Sequence, residues 1–277
     1  MPMVYEVMLV KERTLKHILI GISMAFLTLM LILPLVVIGS EALSKGWNTY
    51  LAAITDPFAR KAMWLTLEAT LAAVICNTVF GLAAAWLLTR FSFPGKNMLS
   101  SLIDLPFAIS PVIAGLVFIM MFGRISYLHN FLMTHHLTIV FAAPGIILAT
   151  IFVTFPFVAR EIIPMMNAQG KDEEEAATTM GAGGFTIFRR ITLPKIKWGL
   201  MYGVILCTAR AMGEFGAVSV VSGHIRGKTT TLPLHIEILY NEYNFTAAFA
   251  VASILVLLAV ILLVLRNFIE WRSKKEA

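Results

Sequence analysis

Residues 171–197 read KDEEEAATTMGAGGFTIFRRITLPKIK and form a charged segment between two long apolar stretches of the chain. The acidic run that begins at Asp172 favours the first turn of a short helix, because carboxylates there complement the helix dipole. The glycines from Gly181 onward predict the end of that helix. Apolar residues at three-residue spacing within 185–191 predict a second helix with one apolar face, which we expect to end at Pro194. Such a segment suits a docking surface for a partner protein.

The composition indicates a membrane protein. Of the 277 residues, 58% are hydrophobic and 14% are charged, and the mean hydropathy is +0.83. A soluble domain carries about 25% charged residues, so this chain has too few polar groups to cover a water-exposed surface. Its net charge of +6 comes from basic residues that cluster at the ends of apolar segments. Because they form no single basic stripe, we expect no nucleic-acid partner.

Six apolar segments meet or approach the length of about 20 residues that a helix needs to cross a bilayer. We therefore expect an all-α membrane protein with six transmembrane helices. The predicted spans are residues 18–41, 62–89, 99–123, 142–165, 195–223 and 243–266.

The positions of Lys and Arg predict the orientation, because cytosolic loops carry an excess of both. Most of these residues lie on the cytosolic side if the N-terminus is inside, and both termini are then cytosolic. The prediction is a cytosolic N-terminal segment at 1–17, a transmembrane domain at 18–270 and a cytosolic tail at 271–277. Residues 167–197 form the longest cytosolic loop.

Motifs for catalysis or for metal binding are missing from the sequence. Cys76 and Cys207 lie in apolar runs without C-x-x-C spacing, and no carboxylate or thiol accompanies His135 and His136 at ligand spacing. The chain also has no G-x-x-x-x-G-K-[ST] loop, so it does not bind ATP through a P-loop. We expect no catalytic residue, no metal site and no cofactor in this chain.

The spacing of Glu175-Ala-Ala, Gly181 and Ile191-x-Leu-Pro194 matches the EAA signature of the inner-membrane permease subunits of ABC importers at every defined position. Residues 91–96, 102–115 and 209–234 resemble the sulfate/molybdate branch of that family, and the last stretch looks most like its CysW-type sulfate/thiosulfate permeases. The resemblance covers the chain except for about the first dozen residues. It implies the MetI-like fold of type I ABC importers and the inner (plasma) membrane of a bacterial cell.

The resemblance also implies that residues 167–197 contain the coupling helix, which docks into a cleft of a cytosolic ATPase. The implied partners are an ABC ATPase dimer that binds ATP and Mg²⁺, a second permease of the CysT type, and a periplasmic sulfate/thiosulfate-binding protein. The coupling residues carried over are Glu174, Glu175, Ala176, Ala177, Met180, Gly181, Phe188, Ile191 and Pro194.

Ionisable residues inside a span are costly and are candidates for function. Arg210 and Glu214 are four residues apart in the fifth span and share one helix face. Either Arg210 lies near the path of a divalent oxyanion and Glu214 partly neutralises it, or the two form an ion pair that locks the bundle. Ser219, Ser222 and, in the third span, Ser110 offer hydroxyls for weak oxyanion contacts or for helix–helix hydrogen bonds.

The leading hypothesis is a permease subunit of an ATP-driven importer that passes sulfate or thiosulfate to the cytosol by alternating access. The nearest alternative is a molybdate/tungstate permease, which usually works as a homodimer. A secondary transporter would normally need more spans or clear inverted repeats. A membrane-embedded enzyme would need a nucleophile–base arrangement or a His/Asp/Glu cluster, and the sequence offers neither.

Overall fold

The computed structural model describes the backbone of residues 2–276 and the side chains of residues 15–272 and 275. These residues are helical and contain no β-strand. Met1, Ala277 and the side chains of the other terminal residues lie outside this description. The predicted segments 1–17 and 271–277 are therefore described only in part.

The described chain folds into fourteen α-helices, with two five-residue π-helical turns among them. The turn Thr28–Ile32 joins α1 to α2, and the turn Phe188–Thr192 joins α10 to α11. In chain order the helices are α1 (Pro2–Leu27), α2 (Leu33–Leu43), α3 (Trp47–Thr55), α4 (Pro57–Arg90), α5 (Lys96–Ala108), α6 (Pro111–Phe122), α7 (His129–Thr134), α8 (Ala143–Ala168), α9 (Asp172–Thr179), α10 (Gly184–Ile187), α11 (Leu193–Met212), α12 (Gly216–Val221), α13 (Leu232–Asn241) and α14 (Phe245–Glu276).

Within the described residues, four helical stretches are long and apolar enough to cross a membrane. They are Leu15–Leu43, Pro57–Arg90, Ala143–Ala168 and Phe245–Arg272. They coincide, within a few residues at each end, with the first, second, fourth and sixth predicted spans.

The third predicted span, 99–123, is not one continuous helix in the structure. It consists of α5 and α6, which meet at an angle of 107°. Ile109 and Ser110 are extended between them, since the residue before a proline avoids the helical region. Pro111 then starts α6, where its missing N–H costs no helical hydrogen bond.

The fifth predicted span, 195–223, is also divided. The long helix α11 ends at Met212, and the short helix α12 begins after Phe215. Neither α11 nor α12 is among the stretches that meet the length and hydropathy expected of a span. The chain therefore does not form one uninterrupted helix over 195–223.

The bundle is centred on α4 and α8, which make its most extensive helix–helix contact. Small residues line this contact, where Ala85 packs with Val158 and Ala159 packs with Leu88, and both alanines are fully buried. A Cβ atom added at Gly81 would lie only 3.0 Å from Cβ of Val158. Small side chains let helix backbones approach closely, which is the main source of helix association in lipid.

A buried amide joins the same two helices. Asn77 of α4 is fully buried, and its Nδ2 donates to Oγ1 of Thr154 at 2.8 Å and to the carbonyl oxygen of Ile151 at 3.2 Å. Inside a bilayer such a group has no water to bond to, so this contact fixes the register of α4 on α8.

The first span stands apart from this bundle. In its most apolar 18-residue window no residue is buried, and Ala42, near its C-terminal end, is its single buried side chain among residues 15–43. Within the described residues, this span contacts the rest of the fold mainly through α2, which packs against α14. Its apolar surface is thus left for lipid or for another membrane subunit.

Gly81→Val should destabilise the bundle by about 1–3 kcal/mol, because the added methyl groups overfill the contact with α8. The measurement is the thermal unfolding midpoint of the detergent-purified protein. Gly39→Val is the matched control, since nothing lies within 4 Å of a Cβ atom at that position. Equal midpoints for the two variants would contradict the packing described here.

Candidate functional site

Glu174 of α9 holds the predicted coupling segment (residues 167–197) on the bundle. Its carboxylate forms an ion pair with Arg90, the last residue of α4, with 2.7 Å between Nε and Oε2. Oγ1 of Thr192 also donates to Glu174 Oε1 at 2.8 Å. The side chains of Arg90 and Glu174 are only 9% and 16% exposed, so water screens the pair weakly. One carboxylate thus ties α9 to α4 and to the turn before α11.

Other polar contacts fix the same segment. Arg90 Nη1 donates to the carbonyl oxygen of Met166 at 3.1 Å, and Lys171 Nζ donates to that of Arg90 at 3.1 Å. Glu173 forms an exposed ion pair with Lys195 at 2.5 Å, which contributes little by itself. Together these bonds connect the segment to the ends of α4, α8 and α11.

Gly181 ends α9 as the sequence predicts. Its φ of +84° lies in the left-handed region that glycine adopts without strain. The Gly181 N–H donates to the carbonyl oxygen of Thr178 at 2.9 Å, and the Ala182 N–H donates to that of Ala177 at 3.0 Å. This pair of bonds is a Schellman motif, which satisfies the last carbonyls of the helix.

The predicted coupling residues divide into an exposed group and an inward-facing group. Glu175, Ala176 and Gly181 are exposed, and the side chain of Met180 is 87% exposed. Ala177 is partly buried beside them.

The inward-facing group comprises Glu174, Phe188 and Ile191, which are partly buried. Phe188 packs against Trp86 of α4 with 5.6 Å between ring centroids.

Two residues of this region were missed by the sequence analysis. Arg90 is the ion-pair partner of Glu174. The signal in the sequence that could have identified it is a single arginine at the end of an apolar span, opposite in charge to the acidic helix. Phe185 belongs to the predicted apolar face of the second helix, and its exposure was not foreseen: its side chain is 76% exposed. It adds to the exposed apolar surface of Met180.

Pro194 does not end the second helix, and that expectation is wrong. From Gly184 the chain stays helical through the π turn Phe188–Thr192 and on to Met212. The Leu193 N–H donates to the carbonyl oxygen of Phe188, five residues back, and so widens the turn directly before the proline ring. The same arrangement, a π turn followed by a Leu-Pro pair, recurs at Pro34.

The breaks in the third and fifth predicted spans lie side by side. A Cβ atom at Gly216 would be 2.9 Å from Cβ of Pro111, and one at Gly115 would be 2.7 Å from the carbonyl oxygen of Ala217. Helices α6 and α12 therefore touch backbone to backbone. We call the two interruptions, residues 109–110 and 213–215, the paired helix breaks.

Arg210 and Glu214 form an ion pair at this place, with 2.6 Å between Nη1 and Oε2. Glu214 Oε1 accepts a hydrogen bond from the Ala217 N–H at 2.9 Å, which satisfies an unbonded donor of α12. The side chain of Glu214 is 1% exposed, whereas that of Arg210 is 34% exposed. The carboxylate is thus part of the packing, and the guanidinium reaches a surface.

The three candidate serines have different environments. Ser110 is exposed at the first of the paired helix breaks, and its hydroxyl does not cap α6. Ser219 is partly buried, and its hydroxyl donates to the carbonyl oxygen of Gly216 at 2.9 Å. Ser222 is fully buried, and its Oγ accepts from the His224 N–H at 3.2 Å. Of the two alternatives for Ser222, this burial favours a role in packing, because its hydroxyl stabilises the turn after α12.

Solved transporter structures share this fold. A chain of a bacterial ABC transporter that imports the acidic polysaccharide alginate matches with a TM-score of 0.78 at 16% identity, over 96% of this chain and 97% of that one. A chain of the methionine ABC transporter MetNI, in an inward-facing conformation, matches with a TM-score of 0.54 at 21% identity, over 75% and 92%. At such identities the likeness concerns the fold alone.

Sequence relatives are closer. CysW, the sulfate transport system permease protein of Escherichia coli, is 49% identical over 261 residues, which are 94% of this chain and 90% of that protein. CysW of Synechocystis sp. is 48% identical over 95% of both chains, and CysT of Salmonella typhimurium is 36% identical over 91% of both. The family model described as binding-protein-dependent transport system inner membrane component matches residues 77–275. The chain therefore belongs to this family of ABC importer permeases, and within it to the CysW type.

Proposed function

We propose that this chain is a transmembrane permease subunit of an ATP-driven ABC importer for sulfate or thiosulfate. The observation that carries the proposal is the 48–49% identity to permeases named for sulfate transport, over nearly the whole of both chains. The chain is a transport subunit and not an enzyme. ATP and Mg²⁺ bind to the partner ATPase, whose hydrolysis drives alternating access.

The proposed topology has six membrane crossings and both termini in the cytosol of a bacterial cell. Four crossings are the long apolar stretches, and the other two are the interrupted pairs α5–α6 and α11–α12. The basic residues of the coupling segment, such as Arg189 and Lys195, support the placement of this segment on the cytosolic side. The membrane is then the inner membrane.

The exposed tip of the coupling segment is the proposed contact with the ATPase. Glu175, Ala176, Met180 and Gly181 present a thin, partly apolar surface, and Phe185 enlarges it. A movement of the ATPase cleft would displace α9 as a unit. Because Glu174 bonds to both Arg90 and Thr192, this displacement would reach α4 and α11 together.

The paired helix breaks are the proposed place where the oxyanion passes. Interrupted helices expose backbone N–H groups and allow the flanking pieces to change angle, and such backbone is tolerated in a membrane where it borders a cavity. Arg210, with Glu214 buried behind it, presents a partly neutralised cation that attracts a divalent anion without trapping it. Ser110 and Ser219 lie at the same level of the fold.

A complete path needs a second subunit. We propose a CysT-type permease as the other half, two copies of the ATPase, and a periplasmic sulfate/thiosulfate-binding protein that delivers the anion. The presence of both CysW and CysT proteins among the relatives of this chain supports a heterodimer.

Reconstitution into proteoliposomes tests the function. The chain, coexpressed with its partner subunits, should accumulate labelled sulfate when the loaded binding protein and ATP are on opposite sides of the membrane. Uptake of molybdate in preference to sulfate, or copurification as a homodimer, would favour a molybdate/tungstate permease. Uptake that persists without any ATPase under an ion gradient would refute the ABC assignment.

Gly181→Asp should uncouple transport, because it places a Cβ atom in the left-handed region, at a cost of about 1–2 kcal/mol, and a negative charge at the C-terminal end of α9, where the helix dipole disfavours it. We expect uptake and ATPase stimulation by the loaded binding protein to fall together. Gly183→Asp adds the same charge at φ −70° and should retain most uptake. Wild-type uptake in Gly181→Asp would count against the docking assignment.

Arg210→Gln should destabilise the protein by about 3–5 kcal/mol, because it leaves the buried Glu214 carboxylate without its partner. Glu214→Gln should cost less, since its amide oxygen still accepts from Ala217 and Arg210 can reach a surface. Thermal midpoints measure this asymmetry. The sulfate KM of Glu214→Gln tests the path, and a value unchanged from wild type would assign the pair to packing alone.

A further inference from the structure

A groove lies at the end of the bundle that carries the coupling segment, between α8, α11 and α14. Its volume is about 400 Å³. Charged and aromatic side chains predominate in its lining, which includes Glu161, Trp198, Gly199, Tyr202, Arg266 and Glu270. We call it the inner groove, and the proposed transport mechanism uses none of these residues.

Opposite charges face each other across the inner groove without touching. The Arg266 guanidinium stacks on the Tyr202 ring at 4.9 Å, and Arg266 interacts electrostatically with Glu161. Among the described side chains, no ion pair within 4.0 Å involves either residue. Arg266 Nε is also buried without a hydrogen-bond acceptor. An N–H group shielded from water normally has an acceptor, so the hydrogen bonding of Arg266 is incomplete here.

A neighbouring pair shows that the gap is specific to this groove. Arg160, adjacent to Glu161 in sequence, stacks on the Phe107 ring at the same 4.9 Å. Its Nε, however, bonds directly to Asp104 Oδ1 at 2.7 Å. The same helix therefore carries one closed ion pair and, one residue later, one pair held open around a cavity.

The charge balance of the groove selects the occupant. Glu161 lies opposite Arg266, so a purely anionic group would meet a carboxylate as well as the guanidinium. A group with its own cation and anion would satisfy both sides. The amphipathic rings of Trp198 and Tyr202 are of the kind that lie at the headgroup level of a bilayer. Apolar side chains of α14 such as Leu265 and Phe268 remain exposed nearby, where acyl chains would lie.

We propose that the inner groove binds the headgroup of a zwitterionic phospholipid that has a free ammonium group, of the ethanolamine type. The ammonium donates to Glu161, and the phosphate accepts from Arg266. The placement in the inner leaflet rests on the cytosolic orientation of the coupling segment proposed above. The lipid would thus fill the space that separates α8 from α14.

A headgroup series tests the proposal without any mutation. The full-length chain, purified with its partner subunits, is placed in nanodiscs of defined phospholipids, and retained lipid is measured by native mass spectrometry. Phosphatidylethanolamine should be preferred over phosphatidylcholine by about tenfold, the worth of one hydrogen bond to a charged group. The mono- and dimethyl headgroups should fall between. Equal retention, or preference for phosphatidylglycerol, would overturn the proposal.

Two substitutions and their matched controls locate the site. Glu161→Gln should abolish the preference for ethanolamine over choline, whereas Arg266→Gln should weaken retention of both lipids. Asp104→Asn and Arg160→Gln, on the closed pair, should change neither. Equal effects of the four variants would refute the site.

Soluble glycerophosphoethanolamine distinguishes a lipid from a free zwitterion. It should not displace the bound lipid at equal concentration, and displacement would overturn the assignment to lipid. Sulfate uptake is measured on the same preparations. Loss of lipid preference with normal uptake rejects this inference alone, whereas absent uptake in the wild type with intact preference rejects the transport proposal alone.

Discussion

The satisfaction of backbone hydrogen bonds in a medium without water is the constraint on which this fold depends. Continuous helices satisfy it by themselves, as α4 and α14 do. The paired helix breaks do not, and the structure compensates locally. They are packed against each other through Gly216 and Pro111, and Glu214 bonds the free N–H of Ala217. An irregular backbone can therefore exist at the place where an ion is proposed to cross.

The Arg90–Glu174 ion pair holds the coupling segment in place. A single short helix such as α9 has too little apolar surface to be held by packing, and its residues are partly or fully exposed. A shielded ion pair shared with Thr192 gives it a fixed position on two helices instead. Directional polar contacts are thus concentrated where motion would have to be transmitted, while the α4–α8 centre relies on close packing of small residues.

Much of this architecture could be predicted from the sequence, because hydropathy identifies long helices and Gly181 marks the end of α9. The breaks could not, since a Pro such as Pro111 is compatible with either a kink or a 107° bend. Contacts distant in sequence were also invisible, as Arg90 and Glu174 are 84 residues apart. The burial of Ser222 could not be predicted either, because helical spacing gives a face but not the neighbour that covers it.

The π turn at Phe188–Thr192 has a consequence for the phase of the long helix that follows it. Each residue of an α-helix is turned by about 100° relative to the one before, so one extra residue in a turn sets the rotation of everything downstream. Removing a single residue there would leave the length of α11 nearly unchanged. It would rotate Arg210 by about 100° about the helix axis relative to the coupling segment. The angle between the residues at the two ends of α11 and their neighbours on other helices would then no longer match.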